Sequence, residues 1–185
     1  LSKRVEGKLI PLDGPQTVTL KPMFTGGLVG SDQEARLRFE LEAAELYRAV
    51  AGADRSAAEL QIRISHLTKA LDETPGDTEP QAQQVRSLNR RLADLRQSLS
   101  GDSTISSRYE PVPLSINGRI GFIVGGTWDS QAAITPNYSD SLAVVRSEFS
   151  AALTELQSIT TDLTALENTA EKLKAPWTPG RTPKN

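Results

Sequence analysis

The chain has 185 residues, 37% of them apolar, with 21 basic and 23 acidic side chains for a formal charge of −2. That near balance leaves no basic footprint able to neutralise phosphates, so nucleic acid is not an expected partner. The absence of cysteine excludes disulfides, thiolate metal sites and a cysteine nucleophile, and no apolar run approaches the ~20 residues of a membrane span.

An apolar share a little below the usual globular value suits elongated helices with much exposed surface. The first residue is Leu1, with no methionine and no signal-like segment, which points to a processed product or a fragment of something larger.

Residues 1–24 predict two short strands, Val5 to Leu12 and Gln16 to Lys21, around an Asp13-Gly14-Pro15 turn. Val18 and Leu20 alternate with Thr17, Thr19 and Lys21, the period of a half-buried strand. A hairpin alone is marginal in water, so this one needs a sheet or the helices to lean on.

Ser31 and Glu34 have capping-box spacing. Beyond them Phe39, Ala43, Leu46, Val50, Ala53, Ala57, Leu60, Ile64, Leu67 and Leu71 recur at steps of four and three. One amphipathic helix over 32–73 follows, about 60 Å long. Thr74-Pro75-Gly76 ends it, and Thr78 with Gln81 forms a second predicted capping box with Pro80 in the first turn. Val85, Leu88, Leu92, Leu95 and Leu99 carry the second helix to Gly101, antiparallel to the first because the connection is short.

Residues 101–113 are polar and proline-bearing, after which Ile116, Ile120, Ile123 and Val124 mark a third, shorter helix. Thr135-Pro136 is a cap and first-turn pair. From Tyr138 through Leu142, Val145, Phe149, Ala152, Leu156, Ile159, Leu163, Leu166, Ala170 and Leu173 the heptad step persists, giving a fourth helix over 136–174. Pro176, Pro179 and Pro183 make residues 176–185 a non-helical tail, which Trp177 is expected to anchor by packing on a bundle end or the hairpin.

The first and fourth helices match in length, while the second and third, at about 33 and 20 Å, make one more long column together. The predicted fold is mainly α: an elongated, coiled-coil-like bundle of four helices in three columns, the middle one broken, with a short N-terminal β-hairpin. The helical bundle spans 31–175, and its first and fourth helices run parallel.

No residue stands out as catalytic, metal-binding or cofactor-binding. His66, the single histidine, lies beside the Ile64–Leu67 core step and reads as a solvated helix position. Glu34, Glu40, Glu42, Glu45 and Glu59 fall mostly between core positions, where a solvated face is the default. The glycines at 118, 121, 125 and 126 lack the lysine and serine or threonine of a phosphate loop and read as close helix packing. Within Arg108-Tyr109-Glu110-Pro111, Glu110 is expected to tie the irregular segment down through an arginine such as Arg119.

Four strings occur as a set: Leu67-Thr68-Lys69-Ala70-Leu71-Asp72-Glu73-Thr74-Pro75, Leu99-Ser100-Gly101-Asp102, Arg108-Tyr109-Glu110-Pro111, and Ala175-Pro176-Trp177-Thr178-Pro179-Gly180-Arg181. The set resembles the C-terminal region of bacterial sortilin-like, BNR-repeat proteins labelled glycosyl hydrolases, in which a large β-propeller precedes a short β element and a helical region. The resemblance implies that residues 5–24 are closing strands of the β element and 31–181 the helical region. It further implies an exported, extracytoplasmic protein.

The catalytic label belongs to the propeller, whose blades bear Ser-x-Asp-x-Gly-x-Thr-Trp boxes. Gly125-Gly126-Thr127-Trp128 copies only the end of one, with Gly121 and Ile123 where serine and aspartate belong, so no active-site residue transfers. The expected function is a non-catalytic structural or interaction module whose partners are the propeller or other domains of the same parent protein. Two alternatives are the helical part of a glycosidase whose active site lies in the propeller, and an independent module that binds a second copy or another protein.

Overall fold

The computed structural model describes residues 2–12, 14, 17–19, 32–108, 110–128 and 130–183, without the side chains of residues 103 and 106. Two strands, β1 (Ser2–Val5) and β2 (Lys8–Pro11), precede five helices: α1 (Gln33–Asp72), α2 (Glu79–Ser100), the single turn α3 (Ser103–Ser106), α4 (Ile116–Trp128) and α5 (Pro136–Lys172).

The hairpin lies earlier than its predicted position. Both strands fall within residues 2–11, paired antiparallel from Ser2↔Pro11 to Val5↔Lys8. The turn is Glu6-Gly7, with φ of 49° and 81°, and two positive φ values give the hand that suits a two-residue hairpin. Residues 5–12, read as one strand, conceal that turn because glutamate is not a usual turn signal. Half of the predicted partner strand, residues 16, 20 and 21, lies outside the described residues, and Thr17, Val18 and Thr19 are not in a strand.

Asp32 caps α1, its Oδ1 accepting the Ala35 amide at 2.7 Å; the predicted cap, Ser31, lies outside the described residues. At the α1–α2 corner the predicted capping box does not form. The Thr78 side chain makes no cap bond and its hydroxyl donates instead to the Leu71 carbonyl at 3.4 Å. Asp77 Oδ1 accepts the Glu79 amide in its place, and Gln81 Oε1 is buried without a partner among the described residues. Thr135 occupies the cap position of α5 with extended backbone before Pro136, but its side chain makes no cap bond.

The heptad residues form one continuous core. Val50, Ala57, Leu60, Ile64, Leu67 and Leu71 of α1 are buried with Leu88, Leu92 and Leu99 of α2, Ile116, Ile120 and Ile123 of α4, and Val145, Ile159, Leu163 and Leu166 of α5. Phe39, Leu46, Val124 and Tyr138 pack partly buried at its margin, and Leu173 is exposed. α1 and α5 each pack against both α2 and α4 and against each other. The architecture is therefore three columns, with α2 and α4 sharing the middle one.

Polar side chains close the break between α2 and α4. Ser100 donates to Asp54 Oδ1 at 2.6 Å and accepts from Asn117 Nδ2 at 3.1 Å, linking α2, α1 and α4. Ser115 starts α4, its Oγ accepting the Gly118 amide at 3.1 Å. Of the α4 glycines, Gly126 matches the close-packing expectation, since a β-carbon there would lie 2.9 Å from Tyr138 Cζ. Around Gly121 and Gly125 that space is open, so helix packing does not account for them.

Candidate functional site

Many of the acidic side chains of the bundle pair with arginines, whereas Glu59 is exposed on α1. On α1, Glu34 pairs with Arg38, Glu40 with Arg36 and Glu45 with Arg48, all within one turn. Glu42 pairs with Arg146 across to α5. Arg91 on α2 reaches three positions on α5: Glu155 Oε1 at 2.7 Å, Asp162 Oδ2 at 2.7 Å and Ser158 Oγ at 2.8 Å. These acceptors follow one helical stripe, and the bonds and charges of Glu155 and Asp162 hold the Arg91 pKa above its ordinary value.

The heptad pattern did not reveal Glu167. It is 3% exposed, on α5 beside Leu166 and one turn beyond Leu163, among hydrophobic neighbours that give no hint of a carboxylate's partner. Arg63 of α1 binds both its oxygens, Nε at 3.1 Å and Nη2 at 2.7 Å. Arg181 of the tail adds Nη1 at 2.9 Å. A buried carboxylate is tolerable only when paired and hydrogen-bonded in this way. Two arginines fix it in place, so the arrangement acts as a clamp on three chain segments.

Arg181 organises the tail. Besides Glu167 it binds Glu171, and its Nη2 donates to Asn168 Oδ1 at 2.7 Å. Thr178 to Arg181 form a turn closed by a 3.2 Å bond from the Arg181 amide to the Thr178 carbonyl. Pro179 and Gly180, the latter with φ +86°, are the central residues of that turn type. Trp177, the expected anchor, is instead 42% exposed, and Ala175, just before the tail, is buried.

Arg36 is the second buried ion that the pattern missed. It is 7% exposed and donates to the carbonyls of Thr127 at 2.5 Å and Ala132 at 2.6 Å as well as to Glu40. A cation at the C-terminus of α4 meets the negative end of its dipole and satisfies orphan carbonyls. The expected Glu110–Arg119 tie is absent: Glu110 is exposed, and Arg119 Nε lies 4.0 Å from Glu148 on α5. α5 runs beside α4 and presents the nearer carboxylate.

His66 is half-buried on α1. Among the described residues no three histidine, aspartate or glutamate side chains come together to hold a metal, and no helix is long and apolar enough to cross a membrane.

Three surfaces remain as candidates for recognition. A groove of about 710 Å³ lies at the break in the middle column, between Leu95, Ile105, Val112 and Leu114 on its apolar side and Asp94, Asp102, Glu148 and Glu155. A cleft of about 380 Å³ between α1 and α4 is bordered by Leu37, Leu41, Val124 and Trp128; Trp128 is 82% exposed. The third is the hairpin. Every residue of both strands is exposed, including Val5, Leu9 and Ile10, with Leu12 just beyond, and among the described residues neither strand contacts a helix.

No protein-family model matches the chain, and neither does any curated protein or solved structure. The sortilin-like resemblance rests on the four sequence strings alone.

Proposed function

We propose that the chain is a non-catalytic helical module that packs on, orients or oligomerises a larger exported β-propeller protein, the role implied by the sortilin-like resemblance. The observation that carries this reading is the hairpin, which among the described residues no helix of the bundle covers. A two-stranded hairpin is marginal in water, and uncovered apolar strands gain stability by joining further strands or by packing against another element. The bundle behind it is a rigid column about 60 Å long, cross-tied by Arg91 and by the Arg63–Glu167–Arg181 clamp. Such a column suits holding domains apart or in register. An extracytoplasmic location follows from the same resemblance.

The test removes residues 32–183 from the parent protein and assays both forms on a panel of chromogenic glycosides. The expected result is that turnover, where present, persists while melting temperature or assembly state falls. Loss of turnover with the propeller still folded would overturn the reading in favour of a bundle that completes a glycosidase cleft.

A second reading, an independent protein-binding module, is favoured by Leu37 and Leu41, which are 54% and 62% exposed one turn apart beside Trp128. Such a strip fits the apolar face of a partner helix. Sedimentation of the chain alone tests it, since self-association lost on Leu41→Asp would support this reading and a monomer at all concentrations would exclude a second copy as that partner.

A further inference from the structure

Arg181 engages its partners through all three nitrogens of its guanidinium. Nη1 donates to Glu167 Oε2 at 2.9 Å, Nη2 to Asn168 Oδ1 at 2.7 Å, and Nε to Glu171 Oε1. Glu167 and Asn168 stand four and three residues before Glu171, so the three acceptors share one face of α5. They lie in its last turns, where the negative end of the helix dipole favours a cation. Acceptors spread over a plane match the fork of an arginine, and an ammonium presents no such fork.

The receiving half of this contact is built without the tail. Arg63 of α1 holds both oxygens of Glu167, whose side chain is 2% exposed, so the deepest carboxylate keeps its place. α5 also closes on its own residues. The Lys174 amide donates to the Glu171 carbonyl and the Ala175 amide to the Ala170 carbonyl, both at 3.0 Å, with Lys174 at φ 63°. That left-handed cap satisfies the helix end before the tail begins.

The tail itself hangs on one side chain. Among the described residues, every hydrogen bond from residues 176–183 to the bundle comes from the Arg181 guanidinium. No residue of this stretch is buried, and only Thr178 and Arg181 are half-buried. Its one internal bond closes the turn from Thr178 to Arg181, which presents the arginine at the end of a Pro-Gly corner. A preformed pocket facing a segment that attaches by a single group is the arrangement of a receptor with a tethered, exchangeable ligand.

We propose that Glu167, Asn168 and Glu171 form a guanidinium-binding site for arginine carried on a polypeptide turn, and that Arg181 fills it as a latch which an arginine of another chain displaces. The tether holds Arg181 at a high effective concentration, so a ligand in trans meets strong competition while the latch is closed.

The experiment titrates a peptide of residues 177–183 into the full chain and into its Arg181→Ala variant, with binding read by calorimetry. The variant is expected to bind saturably, and the latched chain about tenfold more weakly or less, because Arg181 competes from its tether. The peptide carrying Arg181→Lys should bind the variant about tenfold more weakly, since an ammonium replaces the planar fork. Sedimentation separates the two sources of arginine: association of the unaltered chain that Arg181→Ala abolishes makes the ligand a second copy's tail, and a monomer makes it a segment of a different protein. No saturable binding to a folded Arg181→Ala variant overturns the site. Equal binding of the lysine peptide overturns guanidinium recognition, and equal binding to latched and variant chains overturns the latch. An Arg181→Ala variant that fails to fold, read by circular dichroism, also overturns the latch, because the tail is then an integral part of the bundle.

Discussion

Arg63 on α1 and Glu167 on α5 are joined by two hydrogen bonds, and 104 positions separate them in the chain. Glu42 and Arg146 pair between the same helices at the same separation. A constant offset between two helices is possible only when they run parallel in fixed register, and these two pairs hold α1 and α5 in that relation over six turns. Arg181 completes the lower of the two contacts by bringing the tail onto Glu167.

Substituting Glu167→Ala leaves Arg63 without its counter-charge, while of its acidic partners Arg181 keeps only Glu171. Removing one partner of a buried pair costs about 3–5 kcal/mol, and the partial exposure of Arg63, 33%, reduces that to about 2–4 kcal/mol because the arginine can rehydrate. Urea unfolding of the variant measures it. Arg181→Ala should cost less, since Arg63 still holds the carboxylate, yet more than Trp177→Ala, whose ring is already 42% exposed.

The columns and their core were legible in the sequence because leucine, isoleucine and valine at three-four spacing have one physical use in a helix, burial along one stripe. The clamp was not, because Glu167 and Arg36 are charged residues placed where only tertiary partners make burial tolerable, and those partners lie 96–104 positions away for Glu167–Arg63 and Arg36–Ala132. The hairpin was legible in kind but not in register. Its turn uses Glu6 at positive φ, a residue that propensity places elsewhere. Of the candidate recognition surfaces, the sequence indicated only that the hairpin needs a partner.

The core assignment predicts that Leu60→Asp with Leu156→Asp unfolds the chain, because the sites are 4% and 7% exposed and each unpaired charge costs several kcal/mol there, on the order of the penalty for a buried ion. Far-ultraviolet circular dichroism and a melting curve measure it. Retained helicity with an unchanged midpoint contradicts the assignment.

In α4 the glycines should divide. Gly121→Ala and Gly125→Ala add a methyl into open space and should each stabilise the helix by about 0.5–1 kcal/mol. Gly126→Ala should show no such gain, because the methyl displaces the Tyr138 ring, which packs on Phe122 with centroids 5.7 Å apart. Melting temperatures of the three variants check the ranking.

Asp102 at the column break accepts the Thr104 hydroxyl at 2.5 Å and the Thr104 amide at 2.8 Å, and these bonds, the hydroxyl's first, hold its carboxyl below the ordinary value of 3.8. A depressed folded-state pKa contributes stability that is present above the unfolded value and is lost as pH falls through the folded one. Carbon-detected titration should place Asp102 below 3.8, and Thr104→Val should raise it towards that value.

Hydrogen exchange on the isolated chain tests most directly the claim that this bundle carries an unpartnered β element. Amides in the buried stretches of α1 and α5, around Leu60 to Leu67 and Leu156 to Leu163, should exchange only on global unfolding. Those of Ser2 to Pro11 should exchange within about tenfold of the free-chain rate, as expected for a lone hairpin without helix contacts. Hairpin protection comparable to that of α1 and α5 would contradict the account, because it would make the strands part of the bundle and leave them no need of a partner.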